Sequence, residues 1–395
     1  MKEILINNQE GKKQILLVED GKLVEKYIED DSVLRIEGNI YIGRVENVLQ
    51  GMQSAFIDIG QHKNTFIHLK DILPKVDITK EHYVEDKKIK DVVKTGMPIL
   101  VQVKRNFTEA KGAKVSTHIS LNSRFIVFMP NTTIITVSQK IEDEAERNRL
   151  TNIATKYLPQ NCGAIIRTSA QNQLEDVIKK DIEVASKKWN DIKRIYDESI
   201  ETNNFPRLIY KTHNIVKKLI IDLLDKDLEK ITVNSKEDYE YLNKVIAEFE
   251  ANSIKVNYIN KINILEDRPL LKEQLDKTEK RKVWLKCGGF IAIDKTEALT
   301  AIDVNSGKYT GRDNVESTIF KVNKEASIEI AKQLRLRDIG GIVIVDYIDM
   351  KSEENRQKIL EILKEELKKD RTKTQVIGFS KLNLLELTRK HICEN

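Results

Sequence analysis

The chain has 395 residues, of which 40% are hydrophobic and 33% are charged, and its formal net charge is +5. At roughly 150 residues per domain, this length predicts two to three domains. The composition excludes a disordered chain, and no apolar run reaches the ~20 residues that a membrane span needs. Three cysteines without a CxxC pair exclude a disulfide framework and a four-cysteine zinc site, so a soluble cytoplasmic protein is expected.

Short strands separated by turn residues are predicted through the first third of the chain. Three strands over residues 3–29 are separated by the turn signals "NQEG" and "EDG". Five more strands between Gly38 and about Ser120, punctuated by glycine, suit a small five-stranded barrel of the OB kind. The polar stretch "PKVDITKEHYVEDKKIKDVVKTG" between the third and fourth of these strands is interpreted as a surface excursion.

Strands and helices alternate after the predicted barrel. Two strands are expected at "RFIVFMPN" and "TTIITVS", followed by a helix from Glu142. The strand "CGAIIRTSA" then leads into an amphipathic helix over residues 172–198, with Leu174 first on its apolar face. Residues 213–260 predict helix, strand, helix and strand in that order.

The last region begins near Arg281 and predicts a strand, a helix and a second strand. The first strand, "ALTAIDVN", ends with Asp303 and Asn305, and apolar residues at helical spacing follow over 315–334. The second strand, "IGGIVIVDYIDM", carries Asp346 and is apolar enough that both of its faces should be covered. This order implies a parallel crossover, which brings the carboxyl ends of both strands to one edge of the sheet.

Two carboxylates and an amide at one strand edge predict a divalent metal site. Without a cation, Asp303 and Asp346 would repel each other, whereas carboxylate and amide oxygens suit Mg²⁺ or Mn²⁺. Asn305 follows Asp303 by two residues and so points to the same side of the strand. The alternative is that each aspartate only caps a turn or the next helix, and equivalent positions at two strand ends argue against it.

Aromatic and basic residues in the predicted barrel indicate a site for single-stranded nucleic acid. Phe56 and Phe66 lie on short strands, and positive charge near later strands comes from Lys104, Arg105 and Lys111. Aromatic side chains on such a sheet stack bases, which is worth roughly 1–3 kcal/mol per base. The alternative is that both phenylalanines fill the barrel core.

Other basic residues allow contacts with anions. Arg167 and Thr168 lie between a strand and a helix start, where free helix amides favour an anion such as phosphate; the alternative is an ordinary helix cap. Basic residues near the acid pair, including Arg335, Arg371 and Arg389, either solvate a face or contact a polyanion. The chain has no P-loop, HExxH or GxSxG motif, so those enzyme classes have no support.

Long segments of the chain resemble the bacterial ribonuclease E/G family. The segment "GNIYIGRVENVLQGMQSAFIDIGQHKNTFIHLKDI" is similar to the family's RNA-binding barrel. Two further segments resemble the family's catalytic core, namely "GGFIAIDKTEALTAIDVNSGKYTGRDN" and "IAKQLRLRDIGGIVIVDYIDM". The segments "IIRTSA" and "GFSKLNLLELTRK" also match the family. The resemblance runs in order over nearly the whole chain. It implies a Mg²⁺-dependent endoribonuclease that cleaves single-stranded RNA in rRNA and mRNA processing and decay, stimulated by a 5′-monophosphate.

The resemblance also implies a role for each candidate residue. Asp303 and Asp346 would hold the metal, and Asn305 would orient the scissile phosphate or the attacking water. The residues that contact RNA on the barrel would be Phe56, Phe66 and Lys111. The pocket that receives a 5′-monophosphate would consist of Arg167, Thr168 and the backbone near Val127.

The same resemblance implies an α/β multidomain fold in four parts. Residues 1–35 and 215–278 would form one ribonuclease-H-like domain without its catalytic acids. An OB-fold barrel over 36–120 and a 5′-sensor region over 121–214 would be inserted into that domain. Residues 279–395 would form a deoxyribonuclease-I-like catalytic domain.

One departure from the family concerns zinc. Members normally follow "LTRK" with a short cysteine pair that binds zinc between subunits, whereas this chain continues with "HICEN" and carries Cys393 alone. A structural zinc is therefore not expected, and any homodimer would form without a zinc link. A second hypothesis is a cleavage-inactive RNA-binding or ribosome-associated protein. Asp303 and Asp346 argue against it, because a binding module does not need buried acids.

Overall fold

Two compact units make up the structure. A computed structural model describes residues 1–30, 35–72, 88–107, 112–212, 215–223, 228–249, 251, 253–307 and 315–391. One unit combines Met1–Val33 with Lys226–Asn395, and the other is Leu34–Asp225. The division into four domains is finer than this and stays a prediction. None of the helices in the described ranges is long and apolar enough to cross a membrane.

The regular elements have the following bounds. The strands are β1 (Lys2–Gln9), β2 (Lys12–Glu19), β3 (Lys22–Asp30), β4 (Ile40–Leu49), β5 (Ser54–Asp58), β6 (Thr65–His68), β7 (Pro98–Arg105), β8 (Lys114–Ser116), β9 (Leu121–Asn122), β10 (Ile126–Pro130), β11 (Ile135–Val137), β12 (Cys162–Ile166), β13 (Arg207–Tyr210), β14 (Leu228–Val233), β15 (Lys255–Tyr258), β16 (Lys282–Trp284), β17 (Phe290–Lys295), β18 (Leu299–Asn305), β19 (Gly341–Asp346), β20 (Thr374–Phe379) and β21 (Leu384–Arg389). The helices are α1 (Ile89–Val92), α2 (Glu144–Tyr157), α3 (Glu175–Glu201), α4 (Ile215–Leu223), α5 (Lys236–Glu248), α6 (Pro269–Lys277), α7 (Val315–Leu336) and α8 (Glu353–Lys368).

The first sheet joins the start of the chain to its later part. Its strand order is β15-β14-β1-β2-β3, with β1, β2 and β3 antiparallel and β14 parallel to β1. Two tight turns connect the first three strands, at Glu10-Gly11 (φ 52° and 77°) and Asp20-Gly21 (φ 49° and 75°). Positive φ at both central residues is the hairpin geometry that glycine at the second position permits. The three strands expected over 3–29 are therefore confirmed.

A second sheet in the same unit has six strands in the order β16-β17-β18-β19-β21-β20. Strands β18 and β19 are parallel, and α7 lies between them in the chain, so the predicted crossover is confirmed. Helix α7 covers one face of this sheet with Val322, Ala326, Ile330 and Leu334, all of them buried. Burying an aliphatic side chain of this size contributes roughly 1.5–3 kcal/mol, so this face anchors the unit.

On the opposite face of the six-stranded sheet, which we call the open face, side chains of the described residues are exposed. On β19, Val343 and Val345 are buried, whereas Ile342 is 50% exposed. Ile377 on β20 is 60% exposed. The expectation that both faces of β19 are covered is wrong, because an apolar strand that packs helices on one side only cannot be distinguished by composition from a strand buried on both sides.

The other unit contains a closed barrel. Strands β4, β5, β6, β8 and β7 pair in sequence, and β7 pairs back with β4, which confirms the five-stranded OB-like barrel. Gly43 on β4 is required by close approach, because a Cβ at this position would lie 2.5 Å from Ile57 Cγ2 and 2.8 Å from the Asp58 carbonyl oxygen. Most of the predicted surface excursion, namely residues 74–87, lies outside the described residues.

A smaller sheet in the second unit, in the order β11-β12-β10-β9, packs against α2 and α3. Helix α2 begins at Glu144 rather than Glu142, because the Asp143 side chain accepts the backbone N–H of Ala145 at 2.9 Å and caps the helix. Leu174 was expected on the apolar face of α3. It is instead the residue before that helix and is 74% exposed.

Candidate active site

Asp303 and Asp346 lie opposite each other on the open face of the six-stranded sheet. The register of the parallel pair β18–β19 places Asp303 directly against Asp346, and adjacent strands are about 4.8 Å apart. Along β18, Ile302 and Val304 are buried and Asp303 between them is exposed. The alternation of a strand therefore puts the core side chains on the helix side and the acid on the open side.

Asn305 is part of the same cluster. Its Nδ2 donates a hydrogen bond of 2.7 Å to Oδ2 of Asp303. This bond fixes the orientation of the amide and leaves its oxygen available to a ligand or to water. The structure thus brings together the three residues that the sequence placed at one strand edge.

The acid pair is electrostatically strained. Partial burial, and then repulsion from Asp303 and from Asp349, raise the pKa of Asp346 above its usual range. Like charges that share a site disfavour ionisation, and a cation between them reverses that effect. Asp349 follows β19 and is exposed, so it adds negative charge near the pair without lying on the strand itself.

The donor set fits Mg²⁺ or Mn²⁺. Two carboxylates and one amide supply hard oxygen donors on one face. Within the residues that the structure describes, no group of three or more His, Cys, Asp or Glu side chains is arranged to hold a metal ion. Mg²⁺ is commonly bound by one or two carboxylates and completes its shell with water and substrate phosphate, so a pair of acids is sufficient.

Phe56 and Phe66 form a pair on the surface of the barrel. They are opposite each other in the β5–β6 register, with ring centroids 6.2 Å apart and planes at 67°. Their neighbours Ala55, Ile57 and Ile67 are fully buried, whereas both phenylalanines are partly exposed. The alternative that the two rings fill the barrel core is therefore wrong. Of the basic residues expected nearby, Lys104 donates to Gln102 at 2.6 Å, and Lys111 lies outside the described residues.

Arg167 and Thr168 follow the end of β12. The Arg167 guanidinium contacts the Asp222 carboxylate and donates to the Ser123 carbonyl oxygen at 2.9 Å. Thr168 begins a short 3-10 turn, and α3 starts at Glu175 rather than near Asn172. Val127 pairs with Ile165 on β12, two residues before Arg167, which puts all three candidate residues at one end of this sheet.

The basic residues that were expected near the acid pair have structural roles instead. Arg389 pairs with Gly341 at the start of β19, whereas Asp346 ends that strand. Arg335 and Arg371 both bind the fully buried Glu25 carboxylate, at 2.8 and 2.9 Å. Arg389 is itself buried and binds Asp370 at 2.7 Å and Asp338 at 2.8 Å. These three arginines therefore neither solvate a face nor contact a polyanion. They are buried against acids that are distant in the sequence, and a local sequence pattern does not show this.

Two aromatic residues on the open face were not singled out from the sequence. Trp284 on β16 and Phe290 on β17 lie on the same side of the sheet as Asp303 and Asn305. The alternation of polar and apolar residues in "KVW" and "FIAID" was the available signal, but three-residue strands carry too little periodicity to identify a face.

Comparison with known proteins gives consistent matches. The profile of the ribonuclease E/G family matches residues 120–392. Ribonuclease G of Salmonella typhimurium (strain SL1344) is 38% identical over 403 residues, which cover 100% of this chain and 80% of that protein. Ribonuclease G of Haemophilus influenzae is 38% identical over 400 residues, with coverage of 100% and 80%. The putative ribonuclease E of Buchnera aphidicola is 35% identical over 395 residues, with coverage of 99% and 95%.

These matches show that the protein is an endoribonuclease. Matches of this extent leave no part of the chain without a counterpart in the relatives. The chain belongs to the ribonuclease E/G family.

Proposed function

We propose that this protein cleaves single-stranded RNA in a Mg²⁺-dependent reaction, acts in rRNA and mRNA processing and decay, and is stimulated by a 5′-monophosphate. The observation that carries the proposal is the register of Asp303 against Asp346, with Asn305 bonded to Asp303 on the same open face. The direct test is cleavage of a 5′-labelled single-stranded RNA with and without Mg²⁺, by the intact chain and by variants at the two aspartates.

Each residue of the cluster has a separate task in this reaction. Asp303 and Asp346 would hold the divalent ion, which when bound polarises a phosphoryl oxygen and activates water. Asn305 would position the scissile phosphate or the water through its amide. Water attacks phosphorus, the bond from phosphorus to the 3′-oxygen breaks, and that oxygen takes a proton. The products are a 3′-hydroxyl and a new 5′-phosphate.

The barrel would hold the RNA strand through stacked bases. Phe56 and Phe66 present partly exposed rings edge to face, which is a favourable arrangement for bases to extend. Lys111 is assigned to the same surface on the family resemblance.

Replacing Phe56 or Phe66 by alanine is expected to weaken RNA binding by roughly 1–3 kcal/mol, the contribution of one stacked base. The measurement is the Kd of a fluorescent single-stranded RNA in a chelating buffer. Met97→Ala is the matched control, since Met97 is 43% exposed in the same unit and should not contact bases. If the phenylalanine variants and the intact protein bind RNA with equal affinity, RNA does not bind at this surface.

Arg167, Thr168 and the backbone of Val127 would receive the 5′-monophosphate. The Arg167 guanidinium already binds Asp222, so an incoming phosphate would compete with a carboxylate for it. A guanidinium can donate charge-assisted hydrogen bonds either to a carboxylate or to a phosphate.

Arg167→Ala is expected to slow cleavage of 5′-monophosphorylated RNA by roughly tenfold, the value of one charge-assisted hydrogen bond, and to leave 5′-hydroxyl RNA nearly unaffected. The ratio of the two rates is the measurement. Arg194→Ala serves as control, because Arg194 is also an ion-paired arginine of the same unit, bound to Glu198 at 2.8 Å, but lies in the last third of α3. A slowdown of the same size on both substrates would contradict the pocket.

The domain types belong to the same proposal. A ribonuclease-H-like domain is supported by a sheet in which β1 to β3 are antiparallel and β14 and β15 continue parallel to β1. A deoxyribonuclease-I-like catalytic domain is supported by the mixed six-stranded sheet that carries the acid pair. Cys393 lies outside the described residues, so the predicted absence of a zinc link, and a homodimer without it, stay predictions.

A further inference from the structure

An aromatic and basic cluster lies beside the acid pair on the open face of the six-stranded sheet. It consists of Lys282 and Trp284 on β16 and Phe290 on β17, and we refer to it as the aromatic cluster. The rings of Trp284 and Phe290 are 5.4 Å apart at 60°, edge to face. The Lys282 ammonium lies 3.5 Å from the centre of the Phe290 ring and 4.8 Å from that of Trp284. Cation and rings thus form one contiguous surface.

The strand register fixes where this cluster lies relative to the acids. Trp284, Phe290 and Asn305 are consecutive partners across β16, β17 and β18. The neighbouring row continues from Lys282 through β17 to Asp303 and then to Asp346. At about 4.8 Å between strands, Phe290 is one strand and Trp284 two strands from Asn305, or roughly 10 Å. The cluster therefore lies on the same face as the acids and within two strands of Asn305.

The aromatic cluster does not contribute to the core. Val283, between Lys282 and Trp284, packs against the core of the unit, whereas Trp284 points to the other side and is 60% exposed. Most of the apolar surface of Trp284 stays in water, so this side chain contributes little to the stability of the fold. Exposed aromatic rings in contact with a lysine are typical of surfaces that bind a flat apolar partner.

Charge favours RNA on this side of the acids. Lys282 is the cation of the cluster, and the nearest acid on β17, Asp294, is neutralised by Arg281 at 2.5 and 2.6 Å. On the other side of the pair, β21 places Glu386 opposite Ile344 of β19. A strand of phosphates that leaves the acid pair toward β16 therefore meets a cation and two rings.

We propose that Lys282, Trp284 and Phe290 form a base-stacking subsite for the nucleotides of single-stranded RNA adjacent to the scissile phosphate. The proposal rests on the function proposed above. Trp284 and Phe290 would stack bases, and Lys282 would contact the phosphate between them. Stacking on these rings requires bases whose faces are exposed. Bases in duplex RNA are stacked on each other, so duplex RNA would not bind at this subsite.

The fluorescence of Trp284 reports directly on this subsite. The chain has two tryptophans, and Trp189→Phe leaves Trp284 as the only one. In a chelating buffer, a single-stranded oligonucleotide should quench its emission, whereas an abasic oligonucleotide of the same length and charge should not. Anisotropy of a labelled RNA shows in the same samples that RNA is bound. Bound RNA with unchanged Trp284 emission would overturn the proposal, and so would equal quenching by the abasic strand.

Kinetics supply a second readout. Trp284→Ala should raise KM for single-stranded RNA about tenfold with a smaller effect on kcat, and Trp284→Phe should restore most of the loss. Ile377→Ala is the matched control, because Ile377 is also 60% exposed on this face but lies on β20 at the far edge. Equal effects of the alanine variants at 284 and 377 would contradict a stacking subsite.

The outcomes separate this proposal from the proposed function. Quenching of Trp284 by RNA that is never cleaved, even with Mg²⁺, would support the subsite and refute the endonuclease assignment. Cleavage of RNA without quenching of Trp284, and with no change in KM for Trp284→Ala, would support the endonuclease assignment and refute the subsite. Emission of Trp284 that depends on protein concentration without RNA, together with a larger sedimenting species, would overturn the subsite in favour of contact with a second copy.

Discussion

Replacing Asp303 or Asp346 by asparagine is expected to slow RNA cleavage by about 10²–10⁴-fold, the range that groups acting on the transition state contribute. Each substitution removes one of the two charges that face each other on β18 and β19. Asparagine has nearly the shape of aspartate, and Asp303 is exposed on its strand, so the packing beneath should be kept. The loss should therefore fall on the metal-dependent chemistry.

The measurement is single-turnover cleavage of a labelled single-stranded RNA in Mg²⁺, with RNA affinity measured separately. Both variants should retain RNA and lose cutting. Asp294→Asn is the matched control: this acid also lies on the open face but is held by Arg281, and its variant should cleave at the rate of the intact protein. Undiminished cutting by both the Asp303 and the Asp346 variants would eliminate the metal assignment. An intact protein that binds RNA without cutting it in Mg²⁺ would favour the cleavage-inactive alternative.

Glu25→Gln is expected to lower the free energy of unfolding by about 3–5 kcal/mol, the cost of removing one partner from a buried ion pair. Glu25 is fully buried, accepts from Arg335 at 2.8 Å and Arg371 at 2.9 Å, and receives the Tyr27 hydroxyl at 2.7 Å. Without its charge, two largely buried guanidinium groups would face a neutral amide. The free energy of unfolding follows from urea titration of the intact chain and the variant.

A control for this substitution lies on a neighbouring ion pair. Glu279 pairs with Lys26, and its side chain is 73% exposed, so Glu279→Gln should change stability by less than about 0.5 kcal/mol. If both glutamine variants unfold at the same urea concentration as the intact chain, the buried network does not stabilise the unit.

The effect of Glu25 should depend on pH with a definite sign. Burial raises the pKa of Glu25, and Arg371 and Arg335 outweigh that effect, so the pKa lies below its ordinary value near 4.5. A group with a lowered pKa stabilises the fold above its unfolded pKa and loses this contribution as pH falls through the folded pKa. The difference between the intact chain and Glu25→Gln should therefore be full at neutral pH and shrink at strongly acidic pH.

Local sequence signals were sufficient for most elements. Hairpin turns at Gly11 and Gly21, the helical spacing of α7 and the barrel strands all follow from patterns within a few residues. Boundaries were less accurate, as at Leu174, because a capping residue and the first residue of an apolar stripe look alike in sequence.

Features that depend on contacts between distant segments were not predictable in this way. Arg335 and Arg371 looked like surface cations, and their partner Glu25 is more than 300 positions away in the chain. The two faces of β19 are equally apolar in sequence, so the exposure of Ile342 depends on where α7 and α8 pack. The cluster of Trp284 with Phe290 follows only from the antiparallel register of β16 with β17.

The sequence by itself determined that the strands carrying Asp303 and Asp346 are parallel and direct their carboxyl ends to one edge of the sheet, because strand, helix and strand in that order favour one handedness and one polarity. Only the tertiary structure fixed the register that sets Asp303 opposite Asp346. Only the tertiary structure decided that this edge opens onto an uncovered face and that Trp284 lies on it two strands away. The physical reason is that strand polarity follows from chain order, whereas register and burial follow from side-chain packing between segments that the sequence keeps apart.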